Sequence, residues 1–184
     1  MSDHITRLLG AAQGGDRDAH DRLFRLLYDE LHHCAHRQLR GADHTLSTTA
    51  LVHETYVKLV AAERLQLDSR QHFMALAARA MRQVLVDHAR RLNADKRGGG
   101  LALVTLDDRI PEAPTEAAEV LALDQALGEL EKVDARAARV VQLHFFGGLG
   151  FGEIAELEGL NERTIKRDWQ AARALLAATM ASPA

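Results

Sequence analysis

Apolar residues recur along this chain at spacings of three and four, the repeat of an amphipathic helix, and they do so from one end to the other. Residues 3–12 predict a short helix. Residues 16–39 predict a longer one with Leu23, Leu26, Leu27, Leu31 and Leu39 on its apolar face. The stretch from Gly41 to Leu46 breaks the pattern. A helix over 48–62 follows, with Leu51, Val52, Thr55, Tyr56, Leu59 and Val60 to one side and Ser47 or Thr48 as its cap. Beyond a polar loop at 63–69, a long helix over 70–92 carries the stripe Phe73, Leu76, Ala77, Ala80, Met81, Val84 and Leu85, its arginines lying on or beside the exposed side. Gly98, Gly99 and Gly100 end this module; they lack the Lys-Ser/Thr and helix start of a phosphate loop and read as a hinge. An acidic, proline-containing stretch leads to four more helices over 118–131, 134–146, 150–157 and 161–178. No strand pattern of useful length appears. The fold class is therefore all-α: two small helical domains, 1–98 and 118–184, joined by a flexible acidic linker at 99–117.

The last two helices carry the sharpest signal. Ile154 and Leu157 are apolar at helical spacing, and Ala155 is small where a second helix must approach. Gly159 can adopt the left-handed backbone that a tight inter-helix turn needs. Leu160 is expected to plug the turn and Asn161 to cap the next helix. Ile165 and Trp169, one turn apart, face the core. The other face shows Arg163, Thr164, Lys166, Arg167, Gln170 and Arg173. This is the construction of a helix-turn-helix, whose second helix enters the major groove and sets cations against phosphates and base edges. The alternative is an ordinary antiparallel helix pair with a solvated basic face. One position departs from the pattern: Glu158, before the turn glycine, is charged where an apolar residue would pack better.

Composition narrows the class. The chain has 184 residues, 47% of them hydrophobic but only 4% aromatic, which favours helices over strands. Its formal net charge of −3 rules out a generic nucleic-acid coat, so any DNA binding must come from local patches. Such patches exist. Arg79, Arg82, Arg90, Arg91, Lys96 and Arg97 face only Asp87 and Asp95 in their segment. In 107–119 the balance reverses, with Asp107, Asp108, Glu112, Glu116 and Glu119 against Arg109. The single cysteine, Cys34, excludes an internal disulfide and fits a cytoplasmic protein. No signal peptide or membrane span is expected. His32 and His36 stand one turn apart, but no second pair completes a zinc site. With no nucleophile–base arrangement either, neither enzyme activity, metal nor cofactor is expected.

The constellation resembles a bacterial RNA polymerase sigma factor of the extracytoplasmic-function group, over nearly the whole chain. The C-terminal signature is similar to the family's domain four, which reads the −35 promoter element. Ala50-Leu-Val-His-Glu-Thr-Tyr56 resembles the Leu-Val-Gln-Glu-Thr-Phe pattern of domain two. The helix from Phe73 to Arg91 resembles the one that reads and melts the −10 element. The resemblance implies core RNA polymerase and promoter DNA as partners. It assigns the −35 contacts to Arg163, Thr164, Lys166, Arg167, Gln170 and Arg173. It gives the −10 and melting contacts to Arg79, Arg82, Arg90, Arg91, Lys96 and Arg97, and polymerase docking to Leu51, Val52, Glu54 and Thr55. The loop 63–72 matches the family's base-capturing loop, with Gln66, Ser69 or Gln71 as candidate contacts. The acidic linker is either an RNA mimic displaced by the transcript or a plain tether.

One departure from the family bears on regulation. An acidic cluster usually precedes the Leu-Val-Gln-Glu pattern and helps the helix grip basic residues of the polymerase. Ser47, Thr48, Thr49 and Ala50 stand there instead, while Glu54 is kept. Phosphorylation adds about −1.5 to −2 charges per site, at a helix N-terminus that favours anions. The chain thus resembles the branch of the family regulated by a Ser/Thr protein kinase rather than by an anti-sigma factor, with Thr49, Thr48 or Ser47 as the modified residue. Plain N-capping is the alternative. Two other classes remain open: a helix-turn-helix regulator that does not bind polymerase, and a helical protein-interaction module.

Overall fold

A computed structural model of the chain describes residues 7, 8, 10, 11, 14–39, 46–61, 69–95 and 117–181. They form α1 (Arg17–Gln38), α2 (Thr48–Ala61), α3 (Arg70–Asp95), α4 (Ala117–Val133), α5 (Ala135–Val141), a π-helical turn (Gln142–Phe146), α6 (Phe151–Glu158) and α7 (Glu162–Ala181). No strand is present among the described residues. Of the helix expected over 3–12, only Arg7, Leu8, Gly10 and Ala11 are described, and they are helical. The triple glycine and all of the expected linker except Ala117 lie outside the described residues. Ala117 opens α4.

Short polar side chains start these helices, as helix ends require. Asp16 Oδ1 accepts from the backbone N–H groups of Asp18 and Ala19. Ser47 Oγ accepts from Ala50 N at 3.1 Å, so Ser47, not Thr48, caps α2. Ser69 Oγ accepts from His72 N at 3.1 Å, and Asp134 Oδ1 from Ala137 N at 2.9 Å.

The helix expected over 134–146 is regular only to Val141. From Gln142 the winding widens into a π turn, and four consecutive residues, Leu143, His144, Phe145 and Phe146, are all buried. A single amphipathic stripe cannot bury four residues in a row. The wider turn accompanies a segment enclosed on all sides. Its end is stapled to α1. Gln38 Nε2 donates to Phe145 O, and Cys34 Sγ donates to Gly147 O at 3.2 Å. Arg37 donates to Cys34 Sγ at 3.2 Å.

Gly148 closes this corner at φ 64°, with the Arg37 guanidinium filling the space a side chain would need. A β-carbon there would stand 1.4 Å from Arg37 Nη2. Gly148→Ala is therefore expected to destabilise the fold by about 1–2 kcal/mol from the left-handed backbone alone, read as a lower urea midpoint. An unchanged midpoint would contradict the corner's role.

The two halves are not separate bodies in this structure. α3 packs on α2 along one side and on α4, the π turn and α6 along another. Beyond the expected stripe, Met74, Ala78, Val86 and Ala89 are buried as well. Ala78 stands against Gly147 of the C-terminal half. A single buried cluster thus runs from Leu31 and Leu51 through Met81 to Leu127, Phe145 and Trp169.

Candidate nucleic-acid and partner surfaces

The turn between α6 and α7 is built as the pattern requires. Gly159 takes φ 65°, and Leu160 N donates to Ala155 O at 2.9 Å across it. Asn161 Oδ1 accepts from Thr164 N at 2.8 Å and from Thr164 Oγ1 at 3.0 Å. Thr164, expected on the reading face, thus has its hydroxyl committed to the cap. Leu160 is 37% exposed and does not plug the turn as expected. Ile154 and Ala155 of α6 and Ile165, Trp169, Ala172 and Leu176 of α7 are all buried, and α7 packs on α6, α5 and α4. The His144 ring stacks on Phe151 at 4.5 Å and meets Trp169 edge-on at 4.8 Å.

Arg163, Lys166, Arg167 and Gln170 are exposed on the opposite face of α7, while Arg173 is half-buried. Lys166 Nζ pairs with Glu162 Oε1 at 2.6 Å one turn earlier. The misfit at Glu158 has a physical answer. Its carboxylate lies 2.6 Å from Arg139 of α5, so the charge is neutralised where it is half-buried. A second pair ties the reading helix to α5. Buried Asp168 accepts from Arg136 Nε at 2.6 Å and Nη2 at 3.1 Å. That hydrogen-bonded carboxylate pushes the Arg136 pKa up. Neither arginine was visible as a partner from spacing, because each meets its acid across the tertiary fold.

The basic residues of α3 are disposed less freely than the sequence suggests. Arg79, Arg90 and Arg91 are exposed. Arg91 lies 3.8 Å from Glu54. Arg82 is mostly covered by the C-terminal half. Its Nε donates to Asp124 Oδ1 at 2.9 Å, its Nη1 to Gln142 Oε1 at 3.1 Å and its Nη2 to Asp124 O at 3.3 Å. Arg90 Nη2 stands 3.8 Å from the other Asp124 oxygen. Lys96 and Arg97 lie outside the described residues. A cleft of about 760 Å³ between α3 and the α4–α5 pair is lined by Arg79, Arg82, Arg90 and Arg139 with Asp124 and Glu131.

At the start of α3, Arg70 is held between two carboxylates. It donates to both oxygens of Glu30, at 2.9 and 2.8 Å, and to Glu153 Oε1 of α6 at 2.5 Å. The hydrogen bonds to Glu30 are the main reason its pKa is raised. Of the candidate base-capturing residues, Gln66 lies outside the described residues. Ser69 is spent as the α3 cap, and Gln71 Nε2 donates to Glu156 Oε2 at 3.1 Å.

The expected docking residues of α2 need correcting. Leu51, Val52 and Thr55 are fully buried, so a partner cannot touch them while the fold is intact. They point inward because α2 packs on α1 and α3. Glu54 is half-buried. The exposed face is Thr49, His53, Tyr56 and Val57. Sequence reasoning missed it because a matched motif mixes inward and outward positions. Ser47 is exposed but acts as the cap, Thr48 is half-buried, and Thr49 is exposed in the first turn.

Cys34 is buried, and desolvation pushes its thiol pKa up. His32 stacks against Tyr28, and no group of three or more metal-ligating side chains occurs among the described residues. None of the helices described is long and apolar enough to cross a membrane.

The family model described as ECF sigma factor matches residues 2–182. No curated protein and no solved structure matches the chain.

Proposed function

This chain belongs to the ECF sigma factor family, whose members are DNA-binding regulators of transcription initiation, and we propose from that membership how its surfaces divide the work. The C-terminal helix-turn-helix reads the −35 element. α3 engages the −10 element, and the exposed face of α2 docks on core RNA polymerase. The observation that carries this reading is the division of α7. Ile165, Trp169, Ala172 and Leu176 seal one face, while Arg163, Lys166 and Arg167 stand exposed on the other. Cations so arranged at the start of a second helix suit a duplex phosphate backbone and the major groove.

The hydroxyls at the start of α2 support a phosphorylation switch. The Ser47 hydroxyl is already a cap, and Thr48 is half-buried. Thr49 is the exposed hydroxyl in the first turn, where a phosphate gains from the helix dipole. It shares the exposed face of α2 with His53, Tyr56 and Val57. Phosphorylated Thr49 would supply to a basic surface of the polymerase the charge that the family's acidic cluster supplies elsewhere. A Ser/Thr kinase is accordingly the proposed regulator, in place of an anti-sigma factor. The protein would act in the cytoplasm, where core polymerase is found.

Run-off transcription with purified core polymerase tests the reading. A discrete transcript that depends on this protein, from templates selected out of a promoter library, is the expected result. Failure to bind core polymerase in a pull-down, in both unmodified and Thr49→Glu forms, favours a polymerase-independent regulator or an interaction module.

A further inference from the structure

The cleft between α3 and the α4–α5 pair has a volume of about 760 Å³, within the size range of small-molecule sites. One wall is α3, where the exposed Arg79 and Arg90 stand about 16 Å apart at helical rise. The facing wall brings Glu131 of α4 and Arg139 of α5. Much of the charge in this lining is already spent. Asp124 is held by Arg82, with Oδ1 2.7 Å from Nη2, and Asp87 pairs with Lys58 at 3.3 Å. Glu131 is the one carboxylate of the lining left unpaired among the described residues. Against it stand three arginines with donors to spare. Arg79 has no ion pair or hydrogen bond among the described residues. Arg90 is 3.8 Å from Asp124, beyond hydrogen-bonding reach. Arg139 spends its Nε on Glu158 and keeps both Nη groups. Uncommitted cations thus outnumber uncommitted carboxylates, and they stand on both walls.

A guanidinium presents a planar fork of N–H donors that matches phosphate oxygens. Arginines spread along one wall and facing the other suit a ligand charged at more than one point. A bare anion would leave the rest of the lining unused. Leu76, Val86, Ala138 and Leu143 supply apolar surface, which suits the face of a planar ring. Gln142 accepts from Arg82 through Oε1, and its amide N–H groups stay open among the described residues. Gln83 is exposed and unpaired among them as well. With Glu131, these amides offer donors and acceptors to the edge of a nucleobase.

We propose that this cleft binds a nucleoside polyphosphate, its phosphates met by Arg79, Arg90 and Arg139, its base laid on the apolar surface and read by Gln83 and Gln142. Such an occupant covers Arg79, Arg82 and Arg90, three of the proposed −10 contacts. Nucleotide and promoter strand then exclude one another, and the ligand turns transcription down. That consequence rests on the proposed −10 role of α3, but the binding itself does not.

The test is calorimetric titration of the full chain with GTP, ATP and inorganic pyrophosphate in metal-free buffer. One nucleotide should bind per chain, and the better of the two should bind about 10-fold more tightly than pyrophosphate. Arg79→Ala and Arg139→Ala should each weaken it about 10-fold, as the loss of a charge-assisted hydrogen bond implies. Arg22→Ala, exposed on α1 and no part of the cleft, should leave it unchanged. Arg139→Ala also unpairs Glu158, so its melting curve is recorded alongside. Arg79→Ala, exposed and unpaired, decides the matter if that variant fails to fold. No saturable binding of either nucleotide overturns the proposal, and so does an equal loss in Arg22→Ala. Pyrophosphate bound as tightly as both nucleotides overturns the nucleoside class. A fluorescein-labelled single-stranded DNA oligonucleotide, followed by anisotropy, should be displaced by the tighter nucleotide. Oligonucleotide binding that persists under saturating nucleotide overturns the exclusion but not the pocket. No oligonucleotide binding at all removes the −10 role of α3, while the titrations still decide the pocket.

Discussion

Alanine at Arg163, Lys166 and Arg167 together is expected to cut binding to −35 duplex DNA by at least 100-fold. All three side chains stand on the exposed face of α7. A lost base contact costs about 1–3 kcal/mol and relaxes sequence preference, while a lost phosphate contact lowers the salt dependence by about one unit of slope. Lys166 is expected to contribute least, because it already pairs with Glu162. The fold should survive, since the buried Ile165, Trp169 and Ala172 are untouched. Anisotropy titrations of the three single variants and the triple variant, at several salt concentrations, separate base readers from phosphate readers. An unchanged affinity and an unchanged slope in the triple variant would remove α7 as the reading helix.

The second large effect is expected at α2. Thr49→Glu should bind core polymerase about 10-fold more tightly than the unmodified protein at low ionic strength, and it should transcribe without a kinase. The size follows from two terms. A charge pair at an exposed surface contributes about 1 kcal/mol at 4 Å in water, and an anion at a helix N-terminus adds about 0.3–1 kcal/mol. Both fade with salt. Glutamate carries less charge than phosphate, so the gain should fall short of the modified protein's. Thr49→Ala should fold normally and remain silent in cells that contain the kinase. Leu51→Ala gives a needed contrast. Leu51 is fully buried, so its truncation should cost about 2–5 kcal/mol of stability, and any loss of transcription would follow from unfolding. Equal, tight polymerase binding by wild type, Thr49→Ala and Thr49→Glu would reduce the cluster to a helix cap.

The elements were legible from local pattern because helix formation is written at spacings of three and four residues. Ser47 and Asn161 mark starts by their own chemistry, whereas the caps Asp16, Ser69 and Asp134 emerge only with the structure. Gly159 marks a turn by the backbone it permits. Contacts at long range carried no such mark. Nothing near Arg82 in the chain announces Asp124, and nothing near Arg70 announces Glu153. The second buried set on α3, with Met74, Ala78 and Ala89, lies off the single stripe that the spacing marks, and its two alanines each stand next to an arginine, so it shows only once a neighbouring helix covers it. The π turn was missed for a related reason: a full apolar run reads as plain helix until its neighbours fix its winding. Docking residues were misassigned on α2 because a motif match carries identity but not orientation. Leu51 and Val52 hold the helix in place, and Thr49 and Val57 show on its surface.

Buried Asp168 and its bond to Arg136 anchor α7 from behind. The interior positions of that helix and its outward ones therefore share almost no residues. Such a division makes the outward set rewritable. New side chains at positions 163, 166, 167 and 170 could be drawn from a randomised library without endangering the scaffold. Variants with altered promoter choice could then be selected as independent channels of gene control that do not answer to one another's promoters.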